Sequence, residues 1–91
     1  MLKPEIEAFL TENEALLAGD GLVVVQTISG AKFIGVPLGV STGILKIDRY
    51  KKVRQEPDSA AAVWQRRGYV VWIGTISIES IYAIEGTTAE D

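Results

Sequence analysis

The amino-acid sequence predicts a mainly β domain: one N-terminal helix followed by five antiparallel, strongly bent strands. Three observations carry that expectation. Apolar residues recur at helical spacing only within residues 4–18; from Leu22 onward they alternate or run in β-branched stretches bounded by turn residues; and Gly35 and Pro37 interrupt an otherwise regular strand. The chain has 91 residues, 47% hydrophobic and 23% charged, which suits a single small domain and lies far from disordered composition.

The elements follow in order. Ile6, Phe9, Leu10, Leu16 and Leu17 form one stripe of a 3.6-residue period, so residues 4–18 read as a helix. Pro4 suits its first turn, Glu5 and Glu7 complement the positive end of the dipole, and Gly19-Asp20-Gly21 ends it. The polar face is acidic (Glu5, Glu7, Glu12, Glu14), which anionic lipid would repel, so the stripe is expected to cover the sheet. Leu22–Ile28 and Lys32–Val40 read as a hairpin joined by Ser29-Gly30-Ala31. Gly35 and Pro37 weaken a flat ladder and predict a bulge or bend, as barrel closure requires. Ser41-Thr42-Gly43 turns the chain into Ile44–Val53, with Leu45, Ile47 and Val53 facing one way and Lys46, Asp48 and Lys52 the other. Residues 54–67 read as a mobile basic loop tip, with Ala60-Ala61-Ala62 suited to a helical turn. Tyr69–Ile78 reads as a strand apolar on both faces, with Val70, Trp72, Ile76 and Ile78 opposed to Val71 and Ile73. Ile81–Glu85 is then a short last strand, and 86–91 a frayed acidic tail.

Charge is uneven along the chain. The formal total is -3, yet residues 46–67 hold Lys46, Arg49, Lys51, Lys52, Arg54, Arg66 and Arg67 against Asp48, Glu56 and Asp58, between two acidic ends. Such a middle is either a polyanion-binding patch or a solvated hairpin that aids solubility. The chain has no Cys and no His, which excludes disulfides, thiolate or imidazole metal sites and any nucleophilic triad with a His base. Asp48, Glu79 and Glu85 are the strand carboxylates; no spacing pairs them for acid–base work or a metal cage, and they read as solvated surface acids. Gly19-Asp20-Gly21 lacks the strand-before, helix-after setting of a phosphate loop. No enzyme activity, cofactor or metal is therefore expected. No apolar run approaches the roughly 20 residues of a membrane span and no signal-peptide layout opens the sequence, so a cytoplasmic protein without membrane contact is expected.

Residues 22–84 resemble the two sequence blocks of the Sm-like (LSm and Hfq) small β-barrel. The run Leu22 to Leu38 resembles the first block in its strand, Gly turn, aromatic Phe33, Gly35 and hydrophobe, closed by Ile44-Leu45-Lys46-Ile47-Asp48, so residues 22–53 form that block. Residues 69–85 resemble the second, with Gly74-Thr75-Ile76 in the fourth strand and Ile81-Tyr82-Ala83-Ile84 as the fifth. The resemblance implies an SH3-like open barrel that assembles into a ring, and an RNA-binding or RNA-associated role. Where the family has an Asp-x-aromatic-x-Asn stretch that contacts a nucleobase, this chain has Gly39-Val40-Ser41-Thr42-Gly43; where it has an Arg-Gly or Lys-His pair, this chain has Ile78-Glu79-Ser80. None of the family's nucleotide-contacting residues is carried over.

Physical argument points toward assembly independently. A domain this short buries little surface alone, and with no disulfide or metal the remaining staple is a second copy. Tyr69–Ile78 has neither charge nor Pro and is greasy on both faces, unlike a protected edge. Val70, Trp72, Ile76, Ile81 and Tyr82 are the candidate subunit interface, with the core of a monomeric barrel as the alternative. Arg49, Lys51, Lys52, Arg54, Arg66 and Arg67 are the candidate contacts to single-stranded RNA. Tyr50 and Trp64, interleaved among them, either stack on bases or pack on each other to stiffen the hairpin, the latter being the preferred reading. A ring without nucleic-acid binding is the alternative function.

Overall fold

The computed structural model describes residues 1–55 and 62–88. Two helical segments, α1 (Lys3–Glu12) and α2 (Glu14–Ala18), precede β1 (Leu22–Thr27), β2 (Lys32–Ser41), β3 (Ile44–Gln55), β4 (Ala62–Gly74), a 3₁₀ turn at Thr75–Ser77, β5 (Ile78–Ile84) and β6 (Gly86–Thr88). The strands form one open sheet in the order β5-β1-β2-β3-β4-β6, antiparallel except for the parallel β4–β6 pair. Among the described residues no helix is long and apolar enough to cross a membrane.

The single helix expected over 4–18 is broken at Asn13. Its side-chain amide donates to the Phe9 carbonyl at 2.8 Å, competing with the backbone for that acceptor and ending α1 there. Glu5 accepts from the Leu2 N–H at 3.0 Å and so satisfies a donor that the first turn leaves over. Ile6 is fully buried, and Phe9, Leu10 and Leu17 pack around it on the sheet.

β1 lies between β5 and β2 with Leu22, Val23, Val24 and Val25 all buried. Alternation along a strand sends these residues to opposite faces, so the sheet carries apolar clusters on both sides. Val23 and Val25 join Ile6, Leu45, Ile47, Ile73 and Ile78 in the main core beneath α1. Leu22 joins Ala62 and Trp64 in a second cluster, against which Ile34, Val36, Tyr50 and Ile84 pack. The second cluster exists because the long β3–β4 hairpin curls over that face.

The predicted irregularity falls beside Pro37, where the β2–β3 register shifts before Gly39, while Gly35 keeps a regular pairing with Arg49. Gly35 sits so close to β3 that a methyl group there would overlap the Asp48 carbonyl oxygen. A second distortion lies in β4, where Arg67, Gly68 and Tyr69 together oppose Arg49, and Gly68 adopts φ +90°, a conformation that only glycine takes without strain.

Rolling of the sheet follows from chain length. β4 and β5 are separated by three strands, about 19 Å in a flat array at ~4.8 Å per step. The chain from Gly74 to Ile78 reaches at most about 14 Å. The turn therefore crosses the end of a curled sheet, anchored by the Thr75 N–H on the Gly43 carbonyl (2.8 Å) and the Ile28 N–H on the Ser77 carbonyl (2.9 Å).

Several boundaries differ from expectation. Tyr69–Ile78 is not one strand: β4 stops at Gly74, and the turn reverses the facing of Ile78, which enters the main core with Ile73 instead of sharing the side of Val70 and Trp72. Thr75-Ile76-Ser77 reads as strand by propensity, and only the need to cross the end of the curled sheet makes it a turn. β5 begins at Ile78, three residues before the predicted start. Within the basic loop expected over 54–67 the described residues are strand, with Arg54 and Gln55 ending β3 and residues 62–67 opening β4. The proposed mobile tip at 56–61 and the tail residues 89–91 lie outside the described residues, whereas Gly86–Thr88, read as frayed, forms β6 against Ala62–Trp64.

Candidate functional site

The β3–β4 hairpin distributes the basic residues between its two faces. Asp48, Tyr50 and Lys52 alternate onto the face of the second cluster and pair across with Val70, Arg66 and Trp64 respectively. Asp48 is buried, not the solvated acid expected from sequence, because β2 and β4 flank it with Val36 and Val70. Its Oδ2 accepts from Arg66 Nε at 2.7 Å, while Oδ1 is buried without a partner. Arg66 is thus engaged in a structural ion pair with a carboxylate that phosphate would have to displace.

Arg49 is held on the opposite face. Its Nη1 donates to the Tyr69 hydroxyl at 2.8 Å, and its guanidinium lies 5.2 Å from the Phe33 ring centroid and 5.9 Å from that of Tyr69. Partial desolvation raises the Tyr69 phenol pKa, but hydrogen bonding and charge from Arg49 and Arg67 outweigh it, and the phenol lies below its ordinary range.

Where the hairpin curls toward β1, β2 and β5, a cleft of about 510 Å³ opens. Val24, Ile34, Tyr50, Trp64, Tyr82 and Ile84 supply apolar and aromatic wall, and Lys32 and Lys52 supply cations; Arg49, Lys51 and Arg67 also border the cleft, the Arg49 guanidinium being turned to Tyr69 and Phe33, and no carboxylate is among the described lining residues. Four of the six predicted RNA contacts (Arg49, Lys51, Lys52, Arg67) therefore border one concavity, while the Arg49 guanidinium itself stays with Tyr69 and Phe33. Arg54 is exposed at the end of β3 outside that lining, and Arg66 faces Asp48. Trp64 is 8% exposed and shares a cluster with Tyr50, in keeping with the packing role expected of these two aromatics. Lys32, Val24, Ile34 and Ile84 were not among the predicted site residues. They come from strands far away in sequence, and only the register Tyr82↔Val24↔Ile34 places them together.

The predicted subunit-interface residues divide. Trp72 (65% exposed), Ile76 (83%), Val70 and Tyr82 are on the surface, with the Lys46 ammonium 4.9 Å from the Trp72 ring centroid. Ile81 is not: it is half-buried and packs on the main core, because its pairing with Val25 turns it to the inner face. β6 pairs with β4 only at Ala62–Trp64, and β5 pairs with β1 alone, so Arg66–Gly74 and the outer side of β5 are sheet edges among the described residues. The β4 edge bears Arg66 and Arg67 and no acid; β5 and the residue after it bear Glu79 and Glu85 and no base.

Among the described residues no group of three or more His, Cys, Asp or Glu side chains could hold a metal ion. Compared with known proteins, the chain matches no family model, no curated protein and no solved structure.

Proposed function

We propose that this chain is a non-catalytic RNA-binding module of Sm-like character, using the cleft of the β3–β4 hairpin to hold single-stranded RNA. The observation that carries the reading is chemical. One concavity with aromatic and aliphatic wall is bordered by Lys32, Arg49, Lys51, Lys52 and Arg67, with no carboxylate among the described lining residues, in a chain whose net charge is negative. Cations meet phosphate, apolar and aromatic groups accept unstacked bases, and the combination suits single strands better than duplex. The family's own nucleobase contacts are missing from the Gly39–Gly43 turn, so RNA would enter by the hairpin and not by the turn before the third strand.

The test is a titration of single-stranded RNA at two salt concentrations. With four or five phosphates engaged, the log–log salt slope should be near about -3, at roughly -0.7 per phosphate on a single strand. Replacing Lys51 and Lys52 together by Glu should abolish measurable binding. Lack of affinity for a panel of RNAs at low salt refutes the reading.

A second reading, a ring that scaffolds other proteins without nucleic acid, draws on the unpaired edges. A bare β4 edge with Arg67 and a bare β5 edge with Glu79 complement each other between copies, and both lie beside exposed aromatics, Trp72 and Tyr82. This heterologous contact is compatible with either function. Light scattering at micromolar concentration should give a mass of several chains, and Trp72→Lys or Val70→Lys should reduce it; a single-chain mass for the parent protein excludes the ring.

A further inference from the structure

We propose that the cleft is built to seat one nucleoside phosphate, its base lying on the Val24–Ile34 floor between Tyr82 and Tyr50 and its phosphate on Lys32 and Lys52. The inference deepens the RNA-binding reading and rests on the same site. It starts from register. Tyr82 of β5 pairs with Val24 of β1, and Val24 pairs with Ile34 of β2, so the three share one face in a single row. Pairing of Gly35 with Arg49 sets Tyr50 beside Ile34 on that face, and both pack against the second cluster. The row thus runs aromatic, aliphatic, aliphatic, aromatic across three strand spacings, about 14 Å.

Two residues further along the same faces, alternation places Lys32 after Ile34 on β2 and Lys52 after Tyr50 on β3, and both line the cleft. An aromatic-walled floor with cations on one border favours a ligand that is flat and apolar at one end and anionic at the other. The volume, about 510 Å³, is that of a small-molecule site and not of a long groove. Inorganic phosphate or polyphosphate would leave the floor uncovered, and a neutral aromatic would leave the lysines unused. A nucleotide satisfies both, either free or as one residue of an RNA strand.

The full chain should be titrated with adenosine monophosphate, ribose 5-phosphate and a short single-stranded RNA, with amide NMR shifts as the readout. Adenosine monophosphate should shift Val24, Ile34 and Tyr82 and bind more tightly than ribose 5-phosphate. Tyr82→Ala should weaken the mononucleotide by about 5- to 100-fold, the range of one base–aromatic stack, and leave ribose 5-phosphate unchanged. Tyr82→Phe should keep full affinity. Should the alanine variant fold poorly, Tyr82→Leu keeps apolar bulk in the edge strand and should lose the same preference for the base. RNA binding with a steep salt slope but no preference for the mononucleotide over ribose 5-phosphate overturns the slot while the RNA-binding reading stands. Binding of the mononucleotide without RNA supports the slot, identifies a free nucleotide as the ligand and removes the RNA reading. No binding of either removes both.

Discussion

Asp48 carries one ion pair and one buried oxygen without a partner, so the two halves of its pair with Arg66 should respond very differently to mutation. The Arg66 side chain is 55% exposed and the Asp48 side chain 12%. Removing the arginine strands a carboxylate in the sheet. Breaking a fully buried pair this way costs about 3–5 kcal/mol, and because water reaches Arg66 and part of Asp48 we expect about 2–3 kcal/mol for Arg66→Ala. Asp48→Val instead releases an arginine that water can solvate, removes an unsatisfied acceptor worth about 1–3 kcal/mol, and completes a row with Val36 and Val70. It should be neutral or stabilising by about 1 kcal/mol. In the Asp48→Val background, Arg66→Ala should cost about 2 kcal/mol less than in the parent, a coupling read from a double-mutant cycle by urea unfolding. For a domain of this size the single Arg66→Ala change corresponds to a fall in midpoint of roughly 10–20 °C. A coupling below about 0.5 kcal/mol, or Asp48→Val as damaging as Arg66→Ala, would refute the argument that desolvation of the carboxylate dominates this pair.

Other outcomes follow from the packing. Ile6→Ala should lose about 2–5 kcal/mol by calorimetry, since Ile6 is the fully buried contact of α1; a loss below about 1 kcal/mol would mean that the helix is not docked on the sheet. Gly35→Ala should cost more than the roughly 1–3 kcal/mol of ordinary overpacking, because the obstacle is the Asp48 backbone carbonyl and not a flexible side chain; near-parental stability would show that β2 and β3 are farther apart. Ultraviolet titration should find a phenol ionising below the usual range, and Arg49→Gln should move it upward. The sign of the linkage confines its effect to alkaline pH: a lowered pKa stabilises the fold fully only above the unfolded phenol pKa and no longer once pH falls through the folded value, so stability at neutral pH should not register it.

Periodicity was enough to identify the helix stripe around Ile6, the β1–β2 hairpin, the turn at Ser41–Gly43 and the irregularity beside Pro37, because each is decided by residues close in sequence. The clustering of Arg49, Lys51, Lys52 and Arg67 was also legible, since one hairpin carries them all. Asp48 reads as a surface acid in the sequence because alternation assigns a face but not what covers it, and Val36 and Val70 arrive from neighbouring strands. Thr75–Ser77 reads as strand in the sequence because its β-branched residues favour one, while the short path from one sheet edge to the other demands a turn.

Local chemistry by itself determined that this chain would be a small β-rich domain with a basic hairpin and without Cys or His chemistry. The tertiary structure alone decided that β1 is buried on both faces, that Lys32 and Tyr82 join the hairpin in one cleft, and that Ile81 turns inward while Trp72 stays on the surface. The reason is register: side-chain alternation is written into each strand, but which faces meet is set by pairing between strands far apart in the chain, and a shift of one residue would exchange every face.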